Sequence, residues 1–455
     1  MLKPGAFRNL IGRAGRGIAV AVPAALLLFA LFYAANRASL GQALAVDEAH
    51  VRAAYASGAL QDQDWIAGDT GIGRHQYNDC LILYMAIDQQ APADRLAASP
   101  IKPVQRGTET MCQALRHYVG STATNGDKAA GRTGIWYHQY IHGHTMLARW
   151  LLPHLSVEAI RDLYHTAQTL LVLAGILVAM SALARRRRPA ESLFWLILFL
   201  AFSRWFGLES YGQSLGHAPA DAVVLGYMLF LAAGAARGGI GPRSSLAAAA
   251  IFGSLTAIFE FLTGGIPLGL AIVIGGLPYA LRDTTPDHVR DRVIEAAAAF
   301  CAAVAACLAA KILLALGVFG LESFRETSAQ LGVRMGMAGE NDFGPLVAIK
   351  KLVKGLGALA AGMHVLAGAI LAVAAGFGLW GARVLLRSDD AVLRQRSFLL
   401  LASNAAILAM LVLLWQHTIV HAWFMERVFA WTIGTGFALF ATAVGYRSRS
   451  WRHDR

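Results

Sequence analysis

The chain has 455 residues, 56% of them hydrophobic and only 15% charged, with a mean hydropathy of +0.49. That leaves too few polar groups to wrap a soluble protein of this size and excludes a water-soluble globular domain. The net charge of +12 is read as membrane topology and contact with anionic lipid, with no nucleic-acid partner.

In chain order, apolar runs lie near 17–36, 166–183, 191–208, 220–236, 246–262, 266–281, 294–319, 355–381, 397–415 and 428–446. A helix needs about 20 residues to cross a hydrocarbon core, so these predict ten spans. The expected fold is an all-α polytopic transmembrane bundle with both termini cytoplasmic. A mainly helical extracytoplasmic segment is expected between spans one and two. The organisation reads as 1–36 (N-terminus and first span), 37–164 (extracytoplasmic or interfacial domain), 165–319 (spans two to seven), 320–354 (a second outer segment) and 355–455 (spans eight to ten and tail). The first run follows Lys3, Arg8, Arg13 and Arg16 and resembles a secretory signal. Ala34, Ala35 and Ala38 imitate a small-residue cleavage site only weakly, so an uncleaved span is expected.

Short basic loops stay cytoplasmic. With the N-terminus inside, the inner segments hold 21 of the 40 basic residues, whereas the opposite short loops hold only Arg427. This places 37–164 on the outer side of the membrane. Cys80 and Cys112 share that segment, where a disulfide is chemically permitted although spacing alone does not establish one. Helices are expected near 45–59, 77–89, 105–119 and 137–151, with the second and fourth lying flat at the interface and anchored by Trp136, Tyr137, Tyr140 and Trp150. The 320–354 segment carries Arg325, Arg334, Lys350, Lys351 and Lys354 and predicts a lid or surface helix.

Ionisable groups at membrane depth are costly, so chemistry is sought where polar residues gather at outer span ends. Five places qualify. Asp47 and Glu48 follow the first span, and Tyr77, Asn78 and Asp79 open an apolar helix, where Asn78 or Asp79 could equally serve as a cap. His138, His142, His144 and Arg149 lie in one run; His138 and His142 share a helical spacing, but no further ligand is nominated and no metal site is assigned. Two short turns supply Glu209, Tyr211, Gln213, His217, Glu260 and Thr263, with Glu260 between Phe259 and Phe261. Finally, His417, His421, Glu426 and Arg427 stand at the mouth of the last span, where Arg427 could meet a phosphate or pair with Glu426 or another carboxylate.

The acidic first loop, and the segments YNDCLILYMAI, YIHGHTMLARWLL, FEFLTGGIPLG and HTIVHAWFMERVFAW, carry a resemblance. The layout resembles the GT-C class of integral membrane glycosyltransferases, which use polyprenyl-phosphate-linked sugars. The four segments also look like a group of poorly characterised bacterial multispan proteins. The resemblance implies inverting attack on the donor sugar with a carboxylate base that takes the proton of the acceptor hydroxyl, while cationic donors meet the departing lipid phosphate. Asp79 is then the first choice of base, with Asp47 or Glu48 second. Arg427, His417, His421 and His142 form the phosphate group. Asn78, Tyr140, Tyr211, Gln213 and Glu260 hold sugar or acceptor. The acceptor is a glycan, lipid or protein, the lipid chain lies between spans, no cofactor is required and a divalent metal is optional.

Two other classes share the composition. A transporter or lipid flippase would use Glu260, Arg204 and Lys311 along a pathway, but Gly/Pro-interrupted spans in matching halves are not found. Lys311 is expected instead to snorkel outward from its span. A non-catalytic assembly subunit would present the outer domain as a platform.

Overall fold

The computed structural model describes residues 4–42, 44–66, 74–120, 134–203, 214–260, 264–282, 285–337, 364–421 and 425–453. Helix α1 (Pro4–Ala38) leads into a head segment containing α2 (Leu44–Ala56), α3 (Gln76–Ile87), α4 (Ala93–Ala98), α5 (Met111–Gly120) and α6 (Gly143–Leu151). Two small antiparallel ribbons trim it: β1 (Trp65–Ile66) with β2 (Arg74–His75), and β3 (Ile101–Pro103) with β4 (Gly134–Trp136), Ile101 lying opposite Trp136. The bundle continues with α7 (Val157–Ala184), α8 (Pro189–Ser203), α9 (Ala218–Ala236), α10 (Pro242–Phe259), α11 (Gly265–Gly276) and α12 (Pro286–Phe319). Then come α13 (Leu321–Arg334), α14 (His364–Leu385), α15 (Ala391–Leu413), α16 (Trp415–Val420) and α17 (Phe429–His453).

Among the described residues eight helices are long and apolar enough to cross a membrane: α1, α7, α9, α10, α12, α14, α15 and α17. The chain is therefore a polytopic, all-α membrane protein. The other two expected spans are the shorter apolar helices Pro189–Ser203 and Gly265–Tyr279, the latter tightening into a 3-10 turn at its end. Local chemistry sets the helix starts. Ser156 accepts from the Ala159 N–H ahead of α7, Thr285 accepts from His288 N–H ahead of α12, and Asp390 accepts from Val392 and Leu393 N–H ahead of α15. Pro242 and Pro286 occupy first-turn positions, where the missing N–H costs nothing.

Lipid is as apolar as leucine, so spans associate by close backbone approach rather than by a hydrophobic drive. Gly17, Ala21 and Ala25 line the face of α1 that meets α12; a Cβ on Gly17 would strike the Glu295 carbonyl. In the α14–α17 pair a Cβ on Gly381 would lie 2.7 Å from the Leu439 carbonyl oxygen. Large residues such as Leu27, Leu31, Leu170, Leu177, Leu313 and Val412 point away from the protein on the spans, where acyl chains would cover them.

The head segment has its own core, distinct from that of the bundle. Helix α3 is buried from Asn78 through Ile87, which corrects the expectation of a flat interfacial helix. The physical reason is that 80–87 is apolar on every face, the pattern of an enclosed helix. Cys80 and Cys112 are bridged, with Cα atoms 5.0 Å apart, fastening α3 to α5. Val157 and Ile160 of α7 and Leu215 before α9 also enter this core, so the first turn of one span and the entry to another hold the head in place. Lys311 does not snorkel: it is buried in α12 and donates to the Ala98 carbonyl and, at 2.9 Å, to Ser99 Oγ. The end of α4 supplies acceptors that an apolar span lacks.

Candidate functional site

Asp79 lies inside the first turn of α3, not at its cap, and is 1% exposed. Its Oδ2 accepts from Arg161 Nε at 2.9 Å and Nη2 at 2.7 Å; its Oδ1 accepts from Ser214 Oγ at 3.1 Å and Leu215 N–H at 2.8 Å. A base needs a lone pair facing substrate, and here both oxygens serve the joint between α3, α7 and the entry to α9. Neighbouring Asn78 Nδ2 is 2.9 Å from His217 Nε2 at that same entry. One turn further, Asp221 Oδ1 accepts from Arg427 Nη1 at 2.7 Å, with both side chains 2% exposed. Arg427 therefore has a buried carboxylate partner in Asp221.

A second set of residues gathers around Tyr140. His142 adopts a left-handed backbone, φ 66°, and helix α6 begins only at Gly143. His138 and His142 consequently do not share a helix face as expected. Gly143 packs against the end of α10, where an added Cβ would lie 2.7 Å from the Ile258 carbonyl oxygen. Only a residue without a side chain fits there, and this contact sets the Tyr140 turn beside Glu260, the C-cap of α10. Glu260 acts electrostatically on both Tyr140 and Asp221. Its carboxylate occupies the space a Cβ on Gly265 would need, at the start of α11.

The Tyr140 hydroxyl accepts from Arg334 Nη2 at 2.7 Å and shares a hydrogen bond with Tyr137. Burial, first of all, raises the Tyr140 phenol above its ordinary value, and Glu260 adds to this while Arg334 opposes it. The Arg334 guanidinium also stacks over the Tyr140 ring at 5.2 Å, and Lys102 Nζ sits 4.6 Å from the centre of the Tyr137 ring. Burial and the nearby Arg334 charge both push the Lys102 ammonium below its usual pKa. Neither cation pairs with a carboxylate among the described residues. His142 Nε2 lies 2.7 Å from the Tyr137 carbonyl oxygen, and its ring packs on Tyr137 and His144. Burial drives the His142 and His144 imidazoles to their neutral forms.

The remaining expected residues lie elsewhere or outside the described residues. Asp47 and Glu48 belong to α2; Glu48 pairs with Arg52 at 3.4 Å, while Asp47 is buried with neither oxygen hydrogen-bonded among the described residues. Burial raises the Asp47 carboxyl to about 7, with Glu48 adding to the rise and His50 opposing it. His417 and His421 do stand one helical turn apart, with ring centres 4.5 Å from each other, at α16. Helix α16 packs against α13, which carries Arg334. Tyr211, Gln213, Glu209, Arg204 and Thr263 lie outside the described residues. Among the described residues no group of three or more His, Cys, Asp or Glu is arranged to hold a metal ion.

The structure thus brings Tyr140, His142 and Glu260 together, and pairs Arg427 with Asp221 within electrostatic range of Glu260. It ties Asp79 and Asn78 into the head-to-bundle joint. Sequence reading passed over Asp221, Arg161 and Lys102. The only available signal for the first two was an isolated charge inside an apolar or amphipathic helix run, whose partner lies 206 and 82 residues away. The arrangement offers two cations and a phenol hydroxyl for an anion, beside a carboxylate, at the end of the spans that bears the head. Comparison of the chain with known protein families, with curated proteins and with solved structures returns no match.

Proposed function

We propose that this protein is a membrane glycosyltransferase that moves a sugar from a polyprenyl-phosphate donor to a glycan, lipid or protein acceptor at the outer face of the membrane. One observation carries the reading. Lys102 and Arg334 are held close enough to repel each other, each on a tyrosine ring, with no carboxylate partner among the described residues. A phosphate between them relieves that repulsion, and such charge-assisted hydrogen bonds are the strong ones. The Cys80–Cys112 bridge supports an oxidising compartment for the head segment. The resemblance to GT-C enzymes supports the sugar-transfer chemistry.

In this reading Arg334, Lys102 and the Tyr140 hydroxyl bind the donor phosphate. Glu260 removes the proton from the acceptor hydroxyl as that oxygen attacks the anomeric carbon. The bond from carbon to the phosphate oxygen breaks, the lipid monophosphate departs with the electron pair, and configuration inverts. Arg427 pairs with Asp221 and offsets the repulsion between that carboxylate and Glu260. Asp79 positions the head on the bundle rather than acting as base.

The test is transfer of label from a panel of polyprenyl-phosphate sugars by purified protein in lipid. Arg334→Ala should raise the donor KM roughly 10- to 100-fold, the loss of a charge-assisted contact. Glu260→Gln should abolish turnover while donor still binds. Unchanged donor affinity in both Arg334→Ala and Lys102→Ala, or solute movement in sealed vesicles with no new glycosidic bond, would overturn the proposal.

A further inference from the structure

At the end of the bundle remote from the head, helices α7 and α9 finish side by side and leave a trough of about 330 Å³ between them. Its walls are Leu177, Val178 and the small residues Ser181, Ala182, Ala233 and Ala236, whose short side chains leave the space unfilled. Its rim carries Arg185, Arg187 and Arg237. Part of this pattern has a local cause, because Arg185 and Arg237 are the C-caps of their helices, where a positive charge meets the negative end of the dipole. Dipole compensation does not explain why three guanidiniums share one cleft. Among the described residues none of the three makes an ion pair, whereas Arg188 beside them pairs with Glu191 at 2.9 Å and Arg396 reaches the same carboxylate. The neighbouring Glu191 carboxylate is therefore already taken by Arg188 and Arg396, and the rim is left with positive charge above an apolar floor.

We infer that this trough is a binding site for an anionic glycerophospholipid, its phosphate held by Arg185, Arg187 and Arg237 and an acyl chain laid along Leu177, Val178 and Ala233. Two features of the trough select this occupant. Three guanidiniums above the ends of the spans match a phosphate diester at headgroup depth, where each basic residue adds to the attraction. An apolar floor bounded by small residues matches a hydrocarbon chain, which a free phosphate lacks. The site lies at the opposite end of the molecule from Tyr140 and Arg334 and does not depend on the function proposed for them.

Lipid occupancy is read by native mass spectrometry of the full-length protein transferred from nanodiscs containing phosphatidylglycerol or phosphatidylcholine. Wild-type protein should retain phosphatidylglycerol in preference to phosphatidylcholine. Simultaneous R185Q, R187Q and R237Q should lower phosphatidylglycerol retention on the order of a hundredfold, the product of three surface-charge contributions. Ala233→Leu fills the floor without altering charge and should lower it as well; removing a single arginine from the tail, in Arg447→Gln, should not. Retention unchanged in both the triple-glutamine and the Ala233→Leu proteins would overturn the site. Displacement of the lipid by millimolar inorganic phosphate would overturn the lipid as its occupant.

Discussion

The Asp79 carboxylate receives the Arg161 guanidinium on one oxygen, at 2.9 Å and 2.7 Å, with the two side chains 1% and 3% exposed. The pair joins the head segment to the N-terminal end of α7. Removing one member of a buried pair leaves the other uncompensated, at a cost of about 3–5 kcal/mol. Arg161→Leu and Asp79→Asn should each lower the unfolding midpoint in detergent, and the double variant should lose less than their sum. Full stability in Asp79→Asn with turnover abolished would instead return Asp79 to the role of base.

The Cys80–Cys112 bridge closes a loop of 32 residues. Restricting a loop of that size in the unfolded chain corresponds to roughly 3–4 kcal/mol. Cys112→Ser should make the head segment sensitive to protease at lower temperature while leaving the spans protected, which limited proteolysis reads directly. Identical protease resistance in the two proteins would count against the bridge as a stabilising link.

Asp47 sets a pH dependence whose sign follows from its burial. Its carboxyl stands at about 7 in the folded protein against 3.8 as the ordinary value, so folding takes up a proton between those limits. The stability it contributes is complete below pH 3.8 and is lost as pH rises through about 7. Asp47→Asn should flatten the fall in melting temperature between pH 5 and pH 8 and raise it at pH 8, by at most about 4 kcal/mol in stability. A steeper fall in the variant would contradict the assignment.

Tyr140→Phe keeps the ring under Arg334 and removes the oxygen that Arg334 and Tyr137 share. Losing one hydrogen bond to a charged group costs about 1.5–3 kcal/mol, so donor affinity should fall roughly tenfold or more with little change in fold. Isothermal titration with the donor lipid measures this. An affinity equal to wild type would remove Tyr140 from the binding group.

Much of the architecture was legible because it is local. Runs of apolar residues specify buried or lipid-facing helices wherever they occur, whereas the close approach of α1 to α12 at Gly17, Ala21 and Ala25 emerged only in the fold. The helix expected over 137–151 went astray at its start because Gly143 must meet the Ile258 carbonyl, a constraint invisible from neighbours in the chain. The flat placement of 77–89 failed for a related reason: an all-round apolar helix signals enclosure, but its enclosing partners, α5 and the first turn of α7, are distant in sequence.

By itself the sequence determined that the chain is a helical, multispan membrane protein with a sizeable head after its first span, because hydrophobicity over about 20 residues decides that without reference to any partner. Only the tertiary structure decided which charges meet: Asp79 with Arg161, Asp221 with Arg427, Arg334 with Tyr140. A carboxylate's role depends on the few ångströms around it, and those are filled by residues that the linear order leaves tens to hundreds of positions apart.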